Sequence, residues 1–90
     1  MANIKEHLLN TLEELATEDL KMFQWHLTNN VEDDKHIPKS RLEKADRHDT
    51  VDNMVQKYGQ IGAVEITLDI LKKMNNNQLA EELRTKVKNN

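Results

Sequence analysis

Chemistry in a short chain is sought first in its histidines, serines, glycines and paired carboxylates. His7, His26, His36 and His48 are scattered, and no two stand four residues apart on one helix face, as a zinc pair would. No H-E-x-x-H string occurs. Ser40 is the one serine, and Glu43 three residues on makes it a helix cap rather than a nucleophile. Glycine occurs only at 59 and 62, so no glycine-rich loop can cradle a phosphate. Cysteine is absent, which excludes disulfides, thiolate metal sites and a cysteine nucleophile, and fits a reducing compartment. Each carboxylate sits on a charged face beside Lys or Arg, whereas acid–base work at neutral pH needs a buried, perturbed carboxyl. A prosthetic-group carrier would need Asp-Ser-Leu at a helix start, and the nearest string is Asp49-Thr50-Val51. The chain is therefore not expected to be an enzyme, and no metal or cofactor is expected.

The remaining candidates are charged and aromatic side chains, carried by helices. In 90 residues, with 37% apolar, 32% charged, one proline and two glycines, the apolar positions recur at helical intervals. The periodicity predicts one all-α domain over residues 1–90, with six helices at about 4–16, 18–29, 41–45, 47–58, 61–74 and 77–88. No strand-like alternation and no internal repeat occurs. Asn3-x-x-Glu6 is a capping arrangement for the first helix, whose stripe is Ile4, Leu8, Leu12 and Leu15. Thr17 is the expected cap of the second, whose stripe is Leu20, Phe23 and Leu27. Met22 and Trp25 fall on its far side, with Lys21 and His26 beside them. Trp25 either packs under the following loop or stands exposed as an anchor for a partner.

Residues 28–40 form a long polar connection containing Glu32, Asp33, Asp34, Lys35 and His36. It is not an EF-hand loop, which requires a glycine and a later glutamate that are missing. Pro38 holds Ile37 extended, and Ile37 is expected to tuck into the core and tether the loop. Ser40-x-x-Glu43 opens a very short third helix. Asp46 caps the fourth, with Val51, Met54, Val55 and Tyr58 inward and Asp49, Asp52 and Asn53 outward. Gly59 suits the left-handed position that ends a helix. In the fifth helix Val64, Leu68 and Leu71 mark one line, with Ile61 near it and Ala63, Ile66, Ile70 and Met74 widening the arc, so it should be the buried centre. Asn75-x-x-Gln78 is expected to cap the last helix, whose narrow stripe of Leu79, Ala80, Leu83 and Val87 places it at the periphery.

Charge is sorted by sign even though the net value is only −3. Glu6 and Glu13 can join Asp46, Asp49 and Asp52 in one patch, and Lys21, Lys39 and Arg41 can form another. Opposite patches on one small domain permit head-to-tail association, which need not close and can build a filament. An evenly solvated surface is the other reading. The basic residues do not line one long face, so nucleic acid is not an expected partner. No apolar run approaches the roughly 20 residues that span a bilayer, and MANIKEHLLN is not a signal peptide, so no membrane is expected.

Four fragments, in order, give a resemblance. They are Leu8–Leu27 (LLNTLEELATEDLKMFQWHL); Ile37-Pro38-Lys39 ahead of Leu42-Glu43-Lys44-Ala45-Asp46; Val51-x-x-Met54-Val55-x-x-Tyr58-Gly59 with Ala63-Val64 and Leu71-x-x-Met74; and Leu79-Ala80-x-x-Leu83. The chain resembles the pyrin domain of the death-fold superfamily over about residues 4–88. The resemblance implies a six-helix antiparallel bundle with Greek-key-like connectivity and a short third helix after a long loop. It also implies homotypic binding through an acidic face, matched by Glu6, Glu13, Asp46, Asp49 and Asp52. The matching basic face would be Lys21, Lys39 and Arg41, with Met22 and Trp25 as apolar anchors. Met22, Gln24 and His26 stand where family members often carry Lys, so the basic side is thinner here.

The expected role is nucleation of helical filaments in inflammasome signalling in the cytoplasm. The expected partner is the pyrin domain of an inflammasome adaptor, or a second copy of the chain. An N-terminal domain of a sensor of the NLR class is the first expectation, with the polar tail Lys86-Val87-Lys88-Asn89-Asn90 leading to further domains. A pyrin-only decoy that blocks assembly, or a small helical carrier or ligand-binding domain, is the alternative.

Overall fold

A computed structural model describes residues 3–29 and 35–88. The described residues form five helices: α1 (Ile4–Glu13), α2 (Thr17–Asn29), α3 (Lys39–Leu42), α4 (Arg47–Lys73) and α5 (Asn77–Lys88). The fourth and fifth predicted helices are the two limbs of α4, joined through Gly59. Gly59 has φ 78° and ψ 171°, a region essentially reserved for glycine. The positive φ matches the sequence expectation, and with the extended ψ it interrupts the helical run, so that two helical limbs meet at a kink at Gly59. At Gly62 an added Cβ would lie 3.0 Å from Tyr58 Cβ, a tight approach that Tyr58 would have to relieve by shifting.

Local chemistry sets the other ends. Asn3 caps α1 by accepting the Glu6 amide at 2.9 Å. The helix stops at Glu13 instead of running to residue 16, because the Glu14 and Leu15 amides turn back to the Thr11 and Leu12 carbonyls. Thr17 is the first residue of α2 and not its cap, and the Leu20 amide bonds the Ala16 carbonyl. Ser40 is likewise not a cap. α3 starts at Lys39, its cap position is Pro38, and no side chain caps it. Pro38, already extended on the approach, places the helix start one residue before Ser40. At the end of α4, Asn75 takes φ 63°, the Asn76 amide bonds the Leu71 carbonyl at 2.8 Å and the Asn75 amide bonds the Lys72 carbonyl at 3.0 Å. This is a Schellman closure with asparagine in the left-handed place. Asn76, not Asn75, then precedes α5.

Helix α4 packs against all four other helices, α1 also against α5, and α2 against α3. The core is centred on Leu8, Leu12, Phe23, Leu27, Ile37, Met54, Ile70, Leu71 and Leu83. Ile37 is buried as expected, its amide bonding the Leu27 carbonyl and its carbonyl accepting the Thr28 hydroxyl, both at 3.0 Å. Glu32, Asp33 and Asp34 of the long connection, and Asn89 and Asn90 of the tail, lie outside the described residues.

The second limb of α4 departs from the predicted line. Ala63, Val64, Thr67, Ile70 and Leu71 face the core, Ile66 and Leu68 are half-buried, and Ile61 is 71% exposed. So many apolar residues satisfied several helical registers that the pattern could not choose between them. Thr67 falls inside the true stripe, and its hydroxyl donates to Met54 Sδ at 3.6 Å. Val55 and Tyr58 are half-buried flanks of the first limb, while Thr50, Val51 and Met54 are its buried positions.

Candidate functional site

Two contacts lock α1 against the first limb of α4. Arg47 donates through Nε to the Leu12 carbonyl at 2.9 Å, and through Nη2 to the Leu15 carbonyl. Lys5 Nζ, near the other end of α1, lies 3.1 Å from Asp52 Oδ1. The two segments therefore run antiparallel. The clamp sets exposed Glu13 beside the start of α4, where Asp46 and Asp49 stand, and Lys5 and Glu6 sit toward Asp52. Asp46 and Asp49 are exposed and Asp52 is half-buried. Asp46 also caps α4, accepting the Asp49 amide at 2.8 Å. The opposite oxygen of Asp52 lies 3.3 Å from His48 Nδ1.

The basic candidates divide along α3. Residues 39 and 41 are two apart, so at about 100° per residue they point to nearly opposite sides. Lys39 joins Lys21, Trp25, Leu42 and Glu43 around a groove of about 500 Å3 between α2 and α3. Arg41 instead borders a groove of about 570 Å3 with Asp49, Asp52, Asn53 and Gln56. Trp25 is 52% exposed and Met22 50% exposed, so the tryptophan stands open to solvent as an anchor would.

His26 and Gln24 do not share that exposed side. Gln24 reaches inward, its amide nitrogen donating to the Ala45 carbonyl at 3.1 Å and to Thr50 Oγ1 at 2.9 Å, which ties α2 to the α3–α4 corner. His26 is buried, one turn beyond Phe23, with its ring edge-on to Trp25 at 5.1 Å. Burial lowers its pKa below 6.5, helped by the Lys73 charge and opposed by Asp69. The folded state thus favours neutral imidazole. Its contribution to stability is complete above the unfolded value near 6.5, and is lost as pH falls through the lower folded value. Melting curves at pH 7.5 and 5.5 check this: His26→Gln should lose less stability on acidification than the parent chain, and an equal loss would remove His26 as the cause.

Sequence reasoning missed Arg47, Gln24 and Lys5. A signal existed for Arg47, since a cation in the first turn of a helix opposes the dipole and needs another reason to be there. Among the described residues, no three His, Asp or Glu side chains gather as a metal site. Among them also, no helix is long and apolar enough to cross a membrane.

A rigid helical bundle with charged, partly apolar surfaces is the build of a docking domain. The family profile for the PAAD/DAPIN/Pyrin domain matches residues 7–81. The mouse (Mus musculus) protein named NACHT, LRR and PYD domains-containing protein 6 is 39% identical over 80 residues, covering 89% of this chain and 9% of that protein. Mouse Pyrin is 41% identical over 81 residues, covering 88% of the chain and 11% of that protein. Caspase b of Danio rerio is 37% identical over 86 residues, covering 94% of the chain and 21% of that protein. The solution structure of the pyrin domain of human Pyrin superposes with a TM-score of 0.86 at 34% identity, covering 98% of this chain and all of that one. The chain belongs to the pyrin-domain family, a non-enzymatic, homotypic protein-interaction branch of the death fold. It spans only about a tenth to a fifth of the length of these curated relatives.

Proposed function

We propose that residues 1–90 act as one cytoplasmic docking module that nucleates an inflammasome adaptor's pyrin domains into helical filaments. Glu6, Glu13, Asp46, Asp49 and Asp52 would meet the basic face of one neighbour, and Lys21 and Lys39 the acidic face of another, while Arg41, turned to the other side of α3 beside Asp49 and Asp52, would make its contact apart from them. The observation that carries this reading is Trp25, half exposed over the α2–α3 groove between Lys21 and Lys39. Exposed ion pairs contribute about 0–1 kcal/mol each. A desolvated aromatic can add 2 kcal/mol or more, which is why such residues anchor interfaces. Two different faces on one domain make a heterologous contact that continues without closing. Clustering by further parts of a longer protein would raise the local concentration and start the array. Relatives named for NACHT and LRR domains and for a caspase support a signalling setting.

The test is co-assembly with an adaptor pyrin domain, followed by electron microscopy across salt concentrations. The wild-type chain should shorten the lag of adaptor polymerisation. The double variant Glu13→Lys/Asp49→Lys should keep its helical circular dichroism and seed at least tenfold less well. Undiminished seeding by a folded double variant would rule out the charged-face reading. Binding that halts adaptor filaments would replace nucleation by blockade.

A further inference from the structure

The carboxylate of Asp52 is already engaged within the molecule. Lys5 Nζ, from α1, lies 3.1 Å from Oδ1, and His48 Nδ1 lies 3.3 Å from Oδ2. The Lys5 contact differs from the pairs Asp69–Lys73 and Glu81–Arg84, each of which lies within a single helix. It joins side chains 47 residues apart, across the α1–α4 surface that also carries Glu6 and Asp49. Both partners are about half exposed, at 49% and 45% of the side chain, so the bridge is open to solvent and to exchange.

We infer that Lys5 is a specificity-determining residue of the acidic face, an internal competitor for Asp52 that a partner's cation must displace. This rests on the docking reading above. An approaching Lys or Arg meets two obstacles at Asp52. It must replace the Lys5 ammonium, and until it does it is repelled by that charge. An exposed bridge is worth at most about 1 kcal/mol, so the handicap per contact is about two- to fivefold in affinity. It is large enough to favour a partner with several cations over one with a single cation, and small enough that multivalent assembly overcomes it. Repulsion acts at a distance, so part of the effect appears in the association rate and fades once salt shortens the screening length.

The test uses two forms of this chain that cannot polymerise. One carries Lys21→Glu/Lys39→Glu and offers only its acidic face; the other carries Glu13→Lys/Asp49→Lys and offers only its basic face. Their affinity is measured by fluorescence anisotropy at 50 mM and 500 mM salt. Lys5→Gln in the acidic-face form should tighten binding about two- to fivefold at low salt, with the gain shrinking at high salt. Lys5→Arg, which keeps the charge, should leave affinity near the parent value. Unchanged or weaker binding by Lys5→Gln overturns the inference. The docking reading is checked separately by Asp49→Lys in the acidic-face form. If that change does not weaken binding, or the two forms do not bind at all, the charged-face reading fails for contact between copies of this chain and the inference fails with it. If it weakens binding while Lys5→Gln does not tighten it, the inference alone fails.

Discussion

Ile70→Asp is expected to leave the chain without a cooperative fold. Ile70 is fully buried in the second limb of α4, among core side chains. The substitution removes an apolar side chain worth about 1.5–3 kcal/mol of burial. It also asks an uncompensated carboxylate to enter the core or stay protonated, at a cost of about 3–5 kcal/mol by analogy with broken buried pairs. A domain of this size has only about 5–13 kcal/mol in hand. Circular dichroism at 222 nm with urea titration reads the result, and a cooperative transition within a few degrees or a few tenths molar of the parent would refute the placement. Leu68→Asp provides the contrast. Leu68 was the expected core line, yet it is half-buried on the flank, so that variant should remain folded and lose about 1–2 kcal/mol.

Gly59→Ala should cost about 1–3 kcal/mol without breaking a single contact. The φ of 78° with ψ of 171° is disallowed to an L side chain, while nothing lies within 4 Å of where the new Cβ would stand. The loss is thus purely conformational, and it should lower the melting temperature by about 4–8 °C per kcal/mol. A synthetic chain with D-alanine at position 59 separates backbone from packing, because the mirror-image residue accepts positive φ. It should recover most of the stability. If D-alanine and L-alanine melt together, the kink is not held by that dihedral.

The features legible in the sequence are those decided by neighbours along the chain. Asn3 announces its cap, Asp46 does the same, Pro38 fixes Ile37, and Gly59 signals positive φ. The helical class and its family follow from stripes and fragments of the same local kind. Ser40 shows how this reasoning slips: the motif was complete, but the preceding proline moved the helix start by one residue. What stayed hidden depends on residues far apart. Nothing near Arg47 states that two carbonyls at and just beyond the end of α1 will need a partner, and nothing near Asp52 states that Lys5 will reach it. His26 was placed outward with Trp25, though its position one turn after Phe23 carries it into the core. The surface candidates share this limit. Residue types suggested which charges could act together, but the pitch of a four-residue helix decided that Lys39 and Arg41 would part company.

The antiparallel pairing of α1 with α4 has a consequence for synthesis. The helix made first has its chief partner made last but one, since α1 ends at Glu13 and α4 is complete only at Lys73. At about 5–20 residues per second, some 3–12 s of translation separate the two. Through that interval Leu8 and Leu12 lack the complete α4 that α1 packs against, and on a polysome neighbouring nascent chains expose the same stripe. A rare-codon cluster between residues 14 and 60 should therefore lower the yield of native chain more than the same cluster placed after residue 73.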